Sequence, residues 1–556
     1  MSNSPSNRYL IFFPFIVGAA VAAGIFIGFF LNGGSHSASV DGFRSGGNKD
    51  KLENAIQYIL NEYVDTLNQE TLEEDAIVAM LEQLDPHSAY IPAKDLQAVS
   101  EQLEGNFDGI GVEFNIQRDT IMVVAAISGG PSESLGIQSG DRIIAIEGKS
   151  IAGIDVKNED VISKLRGKSG TKVNVTIFRP GIKKPIDYAI TRGQIPLYSV
   201  DASYMASPEV GYIKISRFAA TTYEEYLKAF STLKSKGMQQ LILDLRGNPG
   251  GYLNAAVDLS DEFLSKGQKI VYTEGKARKR ETYDATSKGS FEEGGLVVLI
   301  DEGSASASEI VSGAIQDNDR GWVLGRRSFG KGLVQEEVRF KDGSAMRLTV
   351  ARYHTPTGRC IQKSYENGVE AYYHELTDRF SNGEMVSSDS VHIKDTLAYK
   401  TPAGRTVYGG GGVSPDVFIP VDTAGYSAYL SAVVSKGLLN RFAFEYIDSR
   451  RAVLKQSYPD VERFAATFPI TSVMSEFKTF AAKNEVPFRP KEYETSSAII
   501  SDQVLALMGR ALFGNNAYFS IMNRRDTAIR KAIEILKSNK LVSTSQSPKA
   551  TVSLQH

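Results

Sequence analysis

Two short stretches carry side chains whose types and spacing could do covalent chemistry. The first is Ser304-Ala305-Ser306-Ala307-Ser308-Glu309, which follows the apolar run Leu296-Val297-Val298-Leu299-Ile300 and the turn Asp301-Glu302-Gly303. It leads into Ile310-Val311-Ser312-Gly313-Ala314-Ile315, so the period reads as a buried strand, a tight turn and a helix. A serine at such a helix start sits among unpaired backbone N–H groups, where the helix dipole stabilises an alkoxide or oxyanion. The spacing of Ser306 and Glu309 is equally that of a capping box, a purely structural device. The second stretch follows the strand-like Trp322-Val323-Leu324. It places Lys331 between two glycines, with Gln335 four residues on in an alternating run that ends at Val338 and Phe340.

A serine nucleophile needs a base, commonly histidine. The histidines are His36, His87, His354, His374, His392 and His556, none of them close to Ser306 in sequence. A lysine can serve instead if it is held neutral. Moving its pKa from about 10.4 to about 7 means destabilising the ammonium by about 4 to 5 kcal/mol, which burial without a counter-ion supplies. Lys331 lies between glycines and apolar residues with no acid adjacent in sequence, and Gln335 could orient its amine without adding charge. Gly325 to Lys331 also fits the first seven positions of a phosphate-binding loop. Gly332 stands where that motif needs a hydroxyl, and strand-like alternation follows where it needs a helix, so nucleotide binding is not expected.

Taken together, Ser304 to Ile310, Gly330-Lys331-Gly332 and Val334-Gln335 resemble the core motif of the carboxyl-terminal processing (tail-specific) serine proteases. The resemblance implies that Ser306 is the nucleophile, Lys331 the general base and Gln335 the residue that orients the lysine. Upstream, the strand-like Leu241 to Leu245 runs into Arg246-Gly247-Asn248-Pro249-Gly250-Gly251 and a helix from about Tyr252. This repeats the strand, turn and helix of the serine segment, as expected of neighbouring strands that deliver loops to one edge of an α/β sheet. The block resembles the family's Asp-Leu-Arg-Asn-x-Pro-Gly-Gly, with Gly247 where asparagine is frequent. By resemblance, a backbone N–H of Gly250 or Gly251 joins that of Ala307 in an oxyanion hole.

Between Gly105 and Arg192, short strands alternate with glycine turns and two short helices, and the stretch resembles a PDZ domain of the bacterial, circularly permuted kind. The resemblance implies that the loop Gly109-Ile110-Gly111-Val112 presents N–H groups to a peptide's terminal carboxylate while the peptide adds as a strand. Before it, two helical segments end at Leu84-Asp85-Pro86-His87-Ser88, a turn the family shares, where His87 reads as structural. Met346 to Tyr353 reads as a strand, His354 to Arg359 as a turn, and Gly409 to Gly412 as a packed loop.

A chain of 556 residues is too long for one core. Hydrophobic content of 42%, charged content of 23% and a formal charge of -3 describe ordinary globular material, with no basic excess to suggest nucleic acid. The single cysteine, Cys360, allows no internal disulfide and no metal cluster, and reads as a small filler in a strand. No cofactor or metal is expected. Tyr9 to Leu31 is uncharged and mainly apolar, long enough to span a bilayer, with Arg8 on its leading side. It reads as a single-pass anchor in a bacterial inner membrane with the catalytic part in the periplasm, or as a cleaved signal with the chain exported.

The expected architecture is multidomain α/β and α+β. Residues 1–8 form a stub, 9–31 the membrane helix, 32–50 a flexible linker, 51–104 a helical segment, 105–192 the PDZ domain, 193–422 the protease core and 423–556 a helical accessory domain. The expected activity is that of a serine endopeptidase that captures proteins by their C-termini and cuts through an acyl-enzyme, with homo-oligomers left open. An inactive, membrane-tethered PDZ scaffold is the alternative.

Overall fold

The computed structural model describes residues 51–117, 119–154, 156–391 and 397–538. The expected anchor at 9–31 and linker at 32–50 lie outside the described residues. Among the described residues, no helix is long and apolar enough to cross a membrane. The chain forms two units, residues up to Met80 and residues from Leu81 onward. The first contains helix Lys51–Glu62 and most of helix Gln69–Glu82. Ile56 is buried there, while Leu52, Ile59 and Tyr63, which share its helical period, and Met80 of the second helix remain exposed.

In the second unit, strands Val112–Gln117, Thr120–Ala126, Arg142–Ile146, Lys172–Phe178 and Ile186–Thr191 pair antiparallel in that order. Strict alternation along Lys172–Phe178 sends Val173, Val175 and Ile177 inward, where they meet Ile121, Val123 and Ile143 together with Val161 and Leu165 of helix Asn158–Leu165. Val112–Gln117 pairs only with Thr120–Ala126, so its outer edge is open among the described residues.

The larger core is a six-stranded sheet in the order Val200–Met205, Val210–Ile215, Gln240–Asp244, Leu296–Ile300, Trp322–Gly325 and Val417–Phe418. The first pair is antiparallel and the rest are parallel. Leu296–Ile300 is buried at every residue because both faces of the sheet are covered, which is why its sequence is a continuous apolar run and not an alternation. On one face, Val298 and Ile300 pack with helix Ala307–Asp317, itself buried along its whole length, and with helices Thr222–Ser235 and Leu253–Asp261.

On the other face, Val297 and Leu299 pack with Ala528, Ile529, Ala532, Ile535 and Leu536 of helix Thr527–Lys537. That helix lies within the segment expected as an accessory domain, yet it completes the second layer of the sheet. Its amphipathic period shows that it has a partner but not which one. The preceding helices form a core of their own around Phe442, Phe464, Phe477, Ile500 and Val504.

A second, antiparallel sheet joins Ala89–Ile91, Ala345–His354, Lys269–Glu274 and Glu281–Asp284, with Leu333–Arg339 also paired to Ala345–His354. Cys360 is half-buried in an isolated bridge to His354 and is not a strand filler as expected, because the turn after His354 breaks the ladder. The serine stretch therefore leaves the parallel sheet, and the lysine stretch enters the antiparallel one.

Candidate active site

Ser306 is the cap of helix Ala307–Asp317 and has φ +53° and ψ −112°. Such backbone in a non-glycine residue costs on the order of 1–3 kcal/mol and persists only where the surroundings over-determine it. Here they do. The Ser306 N–H donates to Glu309 Oε2 at 2.8 Å, and its carbonyl accepts from the N–H groups of Glu309 and Ile310 and from the Tyr353 hydroxyl at 3.1 Å. The flanking serines serve as ties. Ser304 Oγ donates to Leu245 O and Ser308 Oγ to Asn248 O, each at 2.9 Å, so the serine turn is fastened to the loop Arg246 to Gly251 and to the residue just before it.

The lysine loop meets this turn through the same carboxylate. Glu309 Oε2 also accepts the Lys331 N–H at 2.9 Å, and Oε1 accepts the Gly330 N–H at 2.8 Å and the Ser328 hydroxyl at 2.5 Å. The Tyr353 hydroxyl lies within bonding distance of both the Ser306 and Lys331 carbonyls. Thus the backbones at Ser306 and Lys331 share one carboxylate oxygen and one hydroxyl. The side-chain groups themselves are not hydrogen-bonded to each other, and the Lys331 amine makes no hydrogen bond or ion pair among the described residues. Burial pushes the Lys331 pKa down, and Arg347 adds to this. Glu309 and Asp85 act in the opposite direction, so the absence of a nearby acid in sequence does not hold in space. Burial raises the Glu309 carboxyl to about 7 against the pull of its hydrogen bonds.

Gln335 lies opposite Thr349 and donates to Thr349 Oγ1 at 3.3 Å, not to another group of the lysine loop. Its amide oxygen has no donor among the described residues. Thr349 in turn donates to Asp85, which also accepts the N–H and hydroxyl of Ser88 and the N–H of His87. His87 shares a hydrogen bond with the Tyr372 hydroxyl at 2.8 Å, and its pKa is lowered to about 4, first by burial and next by Lys331.

The glycine loop closes against the serine. A Cβ on Gly250, whose φ is +96°, would stand 2.7 Å from Ala305 O, 2.8 Å from Ser306 Cβ and 2.9 Å from Ala307 N. The three N–H groups expected at an oxyanion hole differ. That of Gly250 is committed to Asn248 Oδ1 at 2.8 Å, whereas those of Gly251 and Ala307 have no acceptor among the described residues. In the PDZ-like module, Ile110 and Gly111 likewise have free N–H groups among the described residues. The Ile110 carbonyl is held by the N–H and hydroxyl of Ser132, and Val112 opens the edge strand.

Glu309, Asn248 and Tyr353 are the residues that sequence reasoning did not single out for the site. Glu309 stands in the motif but reads as a cap, Asn248 stands inside a glycine block, and nothing in the alternation around Tyr353 marks it.

Comparison with known proteins fits this geometry. Residues 209–373 match peptidase family S41, 122–179 match the PDZ domain, and 429–514 match a family of unknown function, DUF8443. The chain is 39% identical over 353 residues to carboxy-terminal processing protease CtpB of Bacillus subtilis, covering 63% of this chain and 71% of that protein. The chain belongs to the carboxy-terminal processing protease family. It is a serine-type peptidase. It is also 35% identical over 355 residues to CtpA of Bacillus subtilis, covering 64% of this chain and 75% of the relative. To the carboxy-terminal-processing protease of Bartonella bacilliformis it is 37% identical over 312 residues, covering 55% and 71%.

The contacts around Gly250 lead to a prediction for this peptidase. Gly250→Ala should fold but lose about 10²-fold or more in kcat, since its Cβ displaces the turn that carries Ser306 and Ala307. Gly247→Ala, where φ is +66° and no atom lies within 4 Å, is the control. It should cost about 1–2 kcal/mol in chemical denaturation and keep its rate.

Proposed function

We propose that the chain is an endopeptidase in which Ser306 is the nucleophile and Lys331 the general base, acting on proteins captured by their C-termini. The observation that carries this reading is the shared Glu309 oxygen, which holds the strained serine and the half-buried lysine on one anchor. The neutral Lys331 amine takes the Ser306 hydroxyl proton as Oγ attacks the peptide carbonyl, and the free N–H groups of Gly251 and Ala307 receive the developing oxyanion. Gly250 supplies the close approach that brings this loop against the serine. As the tetrahedral species collapses, the lysine proton passes to the leaving amine. Lys331 then activates the water that releases the acyl-enzyme. Gln335 orients the amine through its unoccupied amide oxygen.

In the PDZ domain, assigned to 105–192, the N–H groups of Ile110 and Gly111 donate to the substrate's terminal carboxylate, and the peptide pairs with the open edge beginning at Val112. Family membership and the retained Lys331 favour this enzyme over an inactive scaffold.

Ser306→Ala and Lys331→Ala should each reduce hydrolysis of an unfolded test protein to background, and a Ser306→Ala variant as fast as the parent sinks the assignment. Because burial disfavours the ammonium, the Lys331 pKa lies below its usual value and the amine is free above it. Acidification through that pKa restores the proton, so kcat/KM should fall toward low pH and reach a plateau above it.

A substrate whose C-terminus is amidated should show a raised KM with kcat little changed, because only capture depends on the carboxylate. Equal KM values for the free and amidated forms contradict PDZ capture. Tyr9 to Leu31 is assigned as a single-pass anchor that places the remainder in the periplasm. The full chain should then resist alkaline extraction from membranes, and a chain starting after residue 31 should be released. Equal release of both contradicts the anchor.

A further inference from the structure

The start of the last helix reaches the loop beside Ser306. Asp526 caps helix Thr527–Lys537, its Oδ1 accepting the N–H groups of Ala528 at 2.8 Å and Ile529 at 3.1 Å. Its other oxygen, Oδ2, accepts Arg246 Nη1 at 2.8 Å. Arg246 is the first residue of the loop that ends in Gly250 and Gly251, and its Nε and Nη2 fork onto Asp244 at 3.0 and 2.6 Å. Asp244 is buried and also accepts the Tyr212 hydroxyl at 2.8 Å. The Lys214 amine donates to the Arg246 carbonyl and lies 3.5 Å from Asp244. The same C-terminal segment touches this cluster once more, since Asn523 Nδ2 donates to the Tyr204 hydroxyl at 2.8 Å and Tyr204 packs on Tyr212 with centroids 5.0 Å apart.

The Arg246 guanidinium is thus held between two carboxylates, one on the sheet and one from a segment 280 residues further along the chain. Beyond Arg246, the loop is held by Gly247 N–H on Asp301 at 2.7 Å and by Asn248, before it reaches Gly251.

We propose that Asp526 is a positioning residue for peptide hydrolysis: by fixing the outer side of the Arg246 guanidinium, it sets the loop that brings the Gly251 N–H to Ser306. This rests on the Ser306 reading above. Without Asp526, Nη1 loses its acceptor and Arg246 is left paired with Asp244 alone. The guanidinium then turns, and the loop that begins at its own Cα shifts with it. A displacement of about 1 Å at an oxyanion donor costs on the order of 10²-fold in rate.

The test uses the full chain with Asp526→Ser, Asp526→Asn and Asp526→Glu. Serine and asparagine cap helices about as well as aspartate, so the helix is retained. Serine is too short for Arg246, and asparagine carries no charge to pair with it. Expected is a fall in kcat of about 10- to 100-fold for both, with KM changed by less than about twofold and the thermal midpoint within about 3 °C of the parent. Asp526→Glu, which keeps the charge, should recover part of the rate.

Folded Ser and Asn variants with kcat within about twofold of the parent overturn the proposal. A loss of rate that only follows a loss of folded protein does so too. Ser306→Ala, run alongside, separates the two readings. If it stays active, the nucleophile assignment fails. If it is dead while Asp526→Ser is unimpaired, only the role of Asp526 fails.

Discussion

One buried carboxylate holds the site together. Glu309 accepts from the backbone of Ser306 on one oxygen and from Gly330 and Ser328 on the other, with Lys331 sharing the first. A carboxyl fully removed from water is costly to keep charged, and burial accordingly moves it up to about 7. Four donors offset that cost. They belong to two loops, one running from the parallel sheet into helix Ala307–Asp317 and the other from that same sheet into the antiparallel one, so satisfying this group and bringing the loops together are the same event. The strained backbone at Ser306 follows from it, since both of its polar groups are already engaged in that conformation.

Around this anchor, hydroxyls and glycines act by closeness. Ser304 and Ser308 tie the serine turn to Leu245 and Asn248, and the missing side chain at Gly250 lets the two turns touch. Asn248 takes the Gly250 N–H for itself, and the neighbouring Gly251 and Ala307 donors have no acceptor among the described residues. The lysine is treated in the opposite way. Its backbone N–H and carbonyl are both bonded, while its half-buried amine feels the cation at Arg347 against the carboxylates of Glu309 and Asp85 and has no hydrogen-bond partner among the described residues. A fixed backbone beside an amine whose pKa burial lowers is the kind of setting that clusters at functional sites.

The helix Ala307–Asp317 is enclosed by the sheet on one side and by the turn from His354 to Arg359 at its far end. There the fully buried Arg359 pairs with Asp317 at 2.7 Å. The opposite face of the sheet is sealed by a helix that lies more than two hundred residues beyond the serine in sequence. Sealing that face also brings Asp526 to Arg246, so the closing of the core and the charge balance of the loop have one structural cause.

Much of this was legible from residue order. The continuous apolar run at Leu296 to Ile300, the alternation at Lys172 to Phe178 and the glycine turns each encode a local period, and period decides strand or helix and inward or outward. Ser306, Lys331, Gln335 and the loop at Gly250-Gly251 stood out in the sequence through short motifs that resemble a family, because each motif is a run of chain neighbours. What a linear pattern does not carry is which distant groups meet. Only the tertiary structure turns Glu309 from a cap into the joint of two loops, commits the Gly250 N–H to Asn248, sets Gln335 on Thr349 and lays the last helix on the sheet. Those outcomes depend on hydrogen bonds and burial between segments far apart in sequence, and such pairings leave no period behind.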